Sequence, residues 1–196
     1  MRVIILGRGP LAEPLAQLAE RAGHAMIWVQ EAPAPWPDVD TPDLVILAGS
    51  STAVQTLLER VGSSIADCRV VVDATIPTVD DRDGGEADVR GTVWIPALMK
   101  GARIVRAFAS VPADAVATVL HDCTSETSPR LAVPLAGDDK NAKALVVTFM
   151  REIGVGPFDV GALANADLIA PGGALWGKAL DPLEMLEAVG QLAGGG

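Results

Sequence analysis

Three features that many functional classes require are missing from this sequence: a surplus of basic residues, a cysteine framework and a long apolar run. The 196 residues include 15 lysines and arginines against 25 acidic residues, a net charge of −10. Because nucleic acids and anionic membranes attract clustered positive charge, we expect neither as a partner. Cys68 and Cys123 lack the spacing of a metal site or a disulfide framework, so we expect both to be reduced.

Signals for export or membrane insertion are also lacking. No apolar run reaches the roughly 20 residues of a membrane span. Met1 and Arg2 lead directly into a predicted strand, which leaves no room for a secretory signal. We therefore expect a cytoplasmic protein. A length of 196 residues suits one domain, or one domain with a small appendage, and a composition of 49% hydrophobic and 20% charged residues is typical of a compact globular protein.

Candidate catalytic side chains are scarce as well. His24 precedes a predicted strand and His121 lies in a polar loop, positions more typical of capping or surface histidines than of a general base. No nucleophile motif, pair of catalytic carboxylates or zinc spacing stands out. Asp138 and Asp139 open a predicted helix, where carboxylates complement the helix dipole, so we interpret them as caps rather than metal ligands. We predict no catalytic side chain and no metal site.

The most informative stretch is the start of the chain. A short β-branched strand over 3–6 is followed by Gly7-Arg8-Gly9-Pro10-Leu11-Ala12 and an apolar helical run. In a strand-turn-helix unit that binds a dinucleotide, the first glycine permits a tight turn and the second lets the backbone approach a pyrophosphate. Helix amides then face the phosphates with the positive end of the dipole. This stretch predicts a dinucleotide site.

The rest of the chain alternates strands and helices, which predicts an α/β fold with a doubly wound, mostly parallel Rossmann sheet. Further strands are predicted over 25–29, 44–48, 69–73, 102–107, 131–136 and 158–160. Helices are predicted over 10–22, 53–61, 94–100, 111–120 and 137–153. Pro134 favours an edge position for its strand. Three prolines within 33–37 exclude a crossover helix, so an extended loop is expected over 31–38.

We expect residues 1–160 to form the dinucleotide-binding domain and residues 161–196 a small C-terminal helical segment. That segment is largely apolar from 163 to 192 and is broken near Pro171-Gly172-Gly173. An apolar helix needs a surface to bury against. A second copy of the chain is the simplest such surface, so we expect a homodimer.

Ligands of open α/β sheets bind outside the carboxyl ends of the strands. The loops after the first, second, third and fourth strands are therefore expected to hold the dinucleotide, and Arg8 to reach its phosphate or ribose. Residues 79–91 are either a flap over this site or a solvated loop. The predicted cofactor contacts are Gly7, Arg8, Gly9, Pro10, Leu11, Gln30, Glu31, Gly49, Ser50, Ser51, Thr75, Ile76 and Pro77.

Five blocks of the sequence resemble the NADP-dependent reductases of the deazaflavin coenzyme F-420. They are Gly7-Arg8-Gly9, Asp73-Ala74-Thr75-Ile76-Pro77, Ala107-Phe108-Ala109-Ser110-Val111-Pro112, Val133-Pro134-Leu135-Ala136-Gly137-Asp138-Asp139 and Gly161-Ala162-Leu163-Ala164-Asn165-Ala166. The resemblance implies a compact Rossmann domain, usually dimeric, that moves hydride between a nicotinamide and a deazaflavin. It places the substrate beside Phe108, Ala109, Ser110 and Asn165.

Two departures from that family concern the ligands. Similar proteins hold the 2′-phosphate of NADP with a hydroxyl and basic residues after the second strand, where this chain has Gln30 and Glu31. A carboxylate would repel that phosphate and accept from ribose hydroxyls, which favours NAD. The family's Ala-Phe-Asn block reads Ala107-Phe108-Ala109, which removes an amide from the reactive end. NAD and NADP both stay open as the cofactor.

The residues and the resemblance together predict an NAD(P)-dependent oxidoreductase with a deazaflavin, such as coenzyme F-420, or a flavin as hydride acceptor. Hydride transfer between two bound rings needs positioning more than acid–base groups. Two alternatives remain. A reductase of a small carbonyl or imine would need a proton donor. A non-catalytic dinucleotide-sensing or interaction module is favoured by Gln30, Glu31 and Ala109.

Overall fold

The computed structural model describes residues 1–32, 41–65, 67–68, 70–77, 94–121 and 130–194. They form a seven-stranded sheet in the order β2-β1-β3-β4-β5-β6-β7. The strands are β1 (Arg2–Leu6), β2 (Ala25–Val29), β3 (Leu44–Leu47), β4 (Val70–Asp73), β5 (Arg103–Ala107), β6 (Ala132–Gly137) and β7 (Gly156–Asp159). The α-helices are α1 (Ala12–Arg21), α2 (Ser51–Val61), α3 (Ile95–Leu98), α4 (Ala113–His121), α5 (Lys140–Glu152) and α6 (Pro182–Gly194), and two 3-10 helices span Gly62–Ile65 and Leu163–Ile169.

One strand pair sets the geometry of the whole sheet. All neighbouring strands are parallel except β5 and β6, which are antiparallel. Because β7 is parallel to β6, both strands run opposite to the first five. Their carboxyl ends therefore lie at the edge where β1 to β5 begin, and Arg103 at the start of β5 pairs with Asp139, which follows β6, at 3.6 Å.

Helices cover both faces of the sheet, which explains why the central strands are apolar throughout. One face is covered by α1, α4 and α5, whose buried residues include Leu15, Val116 and Phe149. The other face is covered by α2 and α3, with Val54, Leu58 and Ile95. The predicted doubly wound, mostly parallel sheet is confirmed. The order of the strands also places β1 between β2 and β3, so the crevice for a ligand lies beyond the end of β1.

Pro134 does not mark an edge strand, so that expectation was wrong. Strand β6 lies between β5 and β7. Its register with β5 runs from Leu135 to Gly137, so Pro134 stands just outside that ladder. A residue without an N–H is tolerated there because no β5 residue pairs with it.

The C-terminal segment is less helical than its apolar composition indicates. The break near Pro171 is present, but the first half is the 3-10 helix Leu163–Ile169, and only α6 is an α-helix. Much of the segment packs on β6 of its own chain in a third cluster of buried residues: Ala132, Ala136, Ala166, Ile169, Leu175 and Met185. Much of the apolar surface of this segment is therefore already buried within the chain, and only the remainder would need a partner subunit.

Several expectations cannot be compared with the structure. The loop over 31–38 beyond residue 32, the loop over 79–91 and Cys123 lie outside the described residues. Cys68 is described, and its buried thiol donates to the carbonyl of Val70 at 3.3 Å. Burial raises the pKa of this thiol above its ordinary value, as expected of an unreactive structural cysteine.

Within the described part of the chain, no helix combines the length and apolar character of a membrane span.

Candidate functional site

The glycine turn after β1 is packed against the end of β3. Gly7 has a φ of +120°, and a Cβ atom there would overlap the carbonyl oxygen of Ala48. A Cβ atom on Gly9 would lie 2.7 Å from the Cα of Gly49. Both positions therefore require glycine: the tight turn predicted at Gly7 is confirmed, whereas Gly9 is required by its contact with Gly49, and the approach of a pyrophosphate to it stays a prediction.

Hydrogen bonds fix the turn from both sides. The N–H of Gly7 donates to Val29 at 2.9 Å, and that of Gly9 donates to Ala48 at 3.1 Å. The indole of Trp28 donates to the carbonyl of Gly7 at 2.8 Å. Of the other residues in the turn, Pro10 has no N–H. The N–H groups of Arg8 and Leu11 have no acceptor among the described residues. These are the two donors of the turn from which an anion could accept; Arg8 is exposed, and Leu11 is 2% exposed.

An ion pair stands beside the turn, where the ribose end of a dinucleotide would lie in this fold. Arg8 Nη1 lies 3.0 Å from Glu31 Oε1, and the two side chains are 63% and 78% exposed. Gln30 is exposed next to them. The structure therefore brings Arg8 and Glu31 together, as the sequence predicts for this side of the site, with Gln30 preceding Glu31 in the chain.

The loops after β3 and β4 are joined by backbone hydrogen bonds. Ile76 donates to Gly49 at 2.9 Å, and Ser51 donates to Ile76 at 3.1 Å. Ser50 is the N-cap of α2, with its hydroxyl 3.4 Å from the N–H of Ala53, as the hydroxyls in this loop predict. The predicted cofactor contacts of these loops thus form one rim of the crevice, next to Gly9.

A buried charge network at the carboxyl ends of β4 and β5 was missed by the sequence analysis. Asp73 and Arg106 are both fully buried, and Arg106 Nη1 donates to Asp73 Oδ2 at 2.5 Å. The other oxygen of Asp73 accepts from the N–H of Thr75 at 2.9 Å and from its hydroxyl at 2.6 Å. Arg106 Nη2 donates to the carbonyl of Thr75 at 3.1 Å.

The network has two consequences. Burial raises the pKa of the Asp73 carboxyl above its ordinary value, while Arg106 and the Thr75 hydrogen bonds oppose that shift. The Thr75 side chain is turned inward, so a dinucleotide would meet the backbone of this loop or its neighbours Ile76 and Pro77. The signal in the sequence was Arg106, which stands next to Val105 and Ala107 near the end of a predicted buried strand, since a buried charge needs a partner.

The Phe108–Ser110 loop follows β5 at the same edge of the sheet. Phe108 is fully buried with a φ of +67°, a left-handed conformation that is rare outside glycine. Ser110 is 2% exposed, and its hydroxyl has no hydrogen-bond partner among the described residues. Its carbonyl accepts from Gly177 at 2.7 Å, so the C-terminal segment lies against this loop.

Asn165 is not brought to that edge. It follows β7, which runs opposite to β5, and its side-chain amide donates to the carbonyl of Val160 at 2.7 Å. The structure therefore separates Asn165 from Phe108, Ala109 and Ser110 and gives it a local role in the turn after β7. We leave it out of the substrate site proposed below.

Of the two aspartates predicted to cap the helix that they open, only Asp139 does so, and Asp138 instead binds a backbone N–H on another element. Asp139 is the N-cap of α5 and accepts from Ala142 at 2.7 Å. Asp138 accepts from the N–H of Leu163, the first residue of a 3-10 helix, at 2.9 Å. Over the described ranges, His, Cys, Asp and Glu form no group that could hold a metal ion.

No protein-family model and no curated protein matches this sequence. Among solved structures, a hypothetical protein from Sinorhizobium meliloti is similar, with 21% identity over 92% of this chain and 95% of that chain and a TM-score of 0.70. A candidate F420-dependent NADP reductase from Arthrobacter sp. FB24 has 18% identity over 84% and 86%, with a TM-score of 0.61. The fold is Rossmann-like.

An imine reductase from Bacillus cereus BAG3X2 is similar over 98% of this chain, but over only 59% of its own, with 16% identity and a TM-score of 0.55. At such identities the likeness concerns the fold. The chemistry of this chain has to be argued from its own residues.

Proposed function

We propose that this chain is an oxidoreductase that binds a nicotinamide dinucleotide across the Gly7–Gly9 turn. The observation that carries the proposal is the position of this turn. It stands where the strand order reverses, is packed on Gly49, and leaves the N–H groups of Arg8 and Leu11 without an acceptor among the described residues. A diphosphate bound there would accept from these amides. The likeness of fold to a protein named as an NADP reductase supports the same class of ligand.

The adenosine end of the proposed site favours NAD over NADP. The 2′-phosphate of NADP would enter beside the Glu31 carboxylate, and Arg8 is already engaged by that carboxylate. The 2′-phosphate and the Glu31 carboxylate are both negative and would repel each other at this distance, whereas ribose hydroxyls can donate hydrogen bonds to Glu31. We therefore expect NADH to bind more tightly than NADPH.

Trp28 makes this proposal testable without knowledge of the acceptor. Because its indole donates to Gly7, a ligand on the turn should change its fluorescence. Titration of NAD, NADH, NADP and NADPH should give a saturable change with at least one of them, and a Trp28→Phe variant should lose most of it while binding persists by calorimetry. No saturable response and no heat with all four would refute the dinucleotide site and leave the interaction module. NADPH binding at least tenfold tighter than NADH would refute the role of Glu31.

For the acceptor we propose a deazaflavin such as coenzyme F-420, or a flavin, lying beside Thr75–Pro77 and Phe108–Ser110. The proposal rests on the sequence resemblance and on the closeness of both loops to one edge of the sheet. A bound nicotinamide supplies the hydride chemistry, and the loops of this chain orient the two rings. Stopped-flow absorbance with reduced nicotinamide and the deazaflavin tests it, since catalytic amounts of the protein should bleach both chromophores together. Unchanged absorbance would refute this acceptor.

Reduction of a small carbonyl or imine is the second candidate. Such a reaction needs a proton donor, and Ser110 offers a buried hydroxyl without a partner in the described part of the chain. Steady-state oxidation of reduced nicotinamide by cyclic imines or small ketones, lost in Ser110→Ala, would favour this reaction. Oxidation that Ser110→Ala leaves unchanged would exclude Ser110 as the donor.

We propose further that α6 contributes to a homodimer. It turns Met185 into the core, while Leu183 and Leu186 are 65% and 59% exposed. These leucines are three residues apart and lie on one outward strip of the helix. Light scattering should give the mass of a dimer, and replacing both leucines with lysine should give a monomer. A monomeric wild-type chain would refute this assembly.

A further inference from the structure

The side chains of the buried pair Asp73 and Arg106 bind Thr75 as well as each other, and only Nε of Arg106 has no hydrogen-bond partner among the described atoms of the pair. The two residues lie side by side on neighbouring strands, with both side chains fully buried. Between them they hold every polar group of Thr75: Asp73 accepts from its N–H and its hydroxyl, and Arg106 donates to its carbonyl. The conformation of Thr75 is thus fixed by side chains of the sheet.

Thr75 is linked to the glycine turn through a short series of backbone contacts. Its neighbour Ile76 donates to Gly49 at 2.9 Å and accepts from Ser51 at 3.1 Å. Gly49 in turn lies so close to Gly9 that a Cβ atom on Gly9 would be 2.7 Å from its Cα. The pair is therefore connected to the proposed phosphate site through Thr75, Ile76 and Gly49.

Stability alone does not account for an ion pair in this place. Removing charges from water is costly, and well-packed apolar residues of similar volume often stabilise a protein as well or better. An apolar pair, however, could not hold the three polar groups of Thr75. From this we infer that Asp73 and Arg106 are positioning residues, which fix the Thr75–Ile76 backbone against Gly49–Ser51 and so set the rim of the dinucleotide crevice. This inference deepens the proposed function and rests on it.

The test replaces the pair as a unit, because removing one partner would leave an unpaired buried charge. Asp73→Leu combined with Arg106→Met keeps the volume apolar and filled. We expect the variant to fold, to bind its preferred dinucleotide at least tenfold more weakly, and to show at least tenfold faster hydrogen exchange at the amides of Ile76 and Ser51. Exchange at the Gly7 amide, which donates to β2, should stay as in the wild type.

A matched control removes the ion pair between Lys143 and Asp159, 2.8 Å apart at the opposite edge of the sheet. Lys143→Met with Asp159→Asn should leave both the dinucleotide affinity and the two exchange rates unchanged. If the Asp73/Arg106 variant fails to fold, Thr75→Val and Thr75→Ser test the Asp73 contact with the Thr75 hydroxyl by the same two measurements: only the valine variant should bind more weakly and exchange faster at Ile76 and Ser51, and equal behaviour of the two would overturn positioning through this hydroxyl. The valine variant lacks the hydroxyl that Asp73 accepts, and the serine variant retains it.

The outcomes separate the two proposals. Selective loosening at Ile76 and Ser51 with weakened binding supports positioning. Unchanged affinity, unchanged exchange, or a uniform rise of exchange across the sheet would overturn it, the last because it indicates a purely structural pair. If the wild-type chain binds no dinucleotide, the proposed function fails, while the exchange rates still decide whether the pair holds the loop.

Discussion

Replacing Gly9 with alanine tests the proposed site with one methyl group. The added Cβ would lie 2.7 Å from the Cα and 3.0 Å from the N of Gly49, below the 3.4 Å at which ordinary contact begins. Both neighbours are backbone atoms, so the turn itself has to move. Overpacking of this kind costs about 1–3 kcal/mol of unfolding free energy. The same displacement moves the amides of Arg8 and Leu11, so we expect at least a tenfold loss of dinucleotide affinity, about 1.4 kcal/mol.

Gly23 offers a control of similar cost outside the turn. Gly23 follows α1 with a φ of +78°, and a Cβ atom added to it would have no neighbouring atom within 4 Å. A left-handed alanine is destabilised by about 1–2 kcal/mol. Urea denaturation should therefore show a comparable loss of stability for Gly9→Ala and Gly23→Ala, whereas fluorescence titration should show weakened binding for Gly9→Ala alone. Wild-type affinity in Gly9→Ala, or equal losses in both variants, would refute the phosphate site at this turn.

Three further predictions concern single side chains. Glu31→Gln should release Arg8 for a 2′-phosphate and strengthen NADPH binding about tenfold, near the value of one charge-assisted hydrogen bond. The melting temperature should stay the same, because exposed ion pairs contribute about 0–1 kcal/mol to stability. Unchanged NADPH affinity in calorimetry would contradict this prediction. The pKa of His24 is lowered mainly by burial and to a smaller extent by the positive charge of the Met1 amino group, whereas the carboxylate of Glu152 raises it. The unfolded chain therefore takes up the proton first as the pH falls through about 6.5, and stability declines on acidification. His24→Asn should make the loss of stability between pH 7 and 5 shallower in urea melts, and an equal slope would refute this linkage. Asp139→Ala should lower the unfolding free energy by about 0.5–2 kcal/mol through loss of the α5 cap, and thermal unfolding at the wild-type temperature would speak against it.

Local pattern predicted much of this molecule. Strand β1 was expected over 3–6 and spans Arg2–Leu6, and β2 matches its predicted residues. Ser50 and Asp139 cap helices as their residue types indicate. These features depend on neighbours within a few residues, so side-chain periodicity and capping chemistry are enough to find them.

The failures share one physical cause. Pro134 lies in an interior strand because β6 pairs with β7 as well as with β5, and Asn165 is turned away from Phe108 because β7 runs opposite to β5. Strand direction depends on hydrogen bonds between segments that are distant in sequence, and nothing within a single strand encodes its neighbour. The pairing of Asp73 with Arg106 was missed for the same reason, since 33 residues separate them.

The sequence by itself thus determined the strands, the caps at Ser50 and Asp139 and the tight turn at Gly7, since each depends on backbone geometry within one short segment. Only the tertiary structure decided that Gly9 has to pack on Gly49, which amides of that turn lack an acceptor among the described residues, which charges meet between β4 and β5, and which loops share an edge with the turn. Those properties are set by the order and direction of strands, and they exist only once the sheet has assembled.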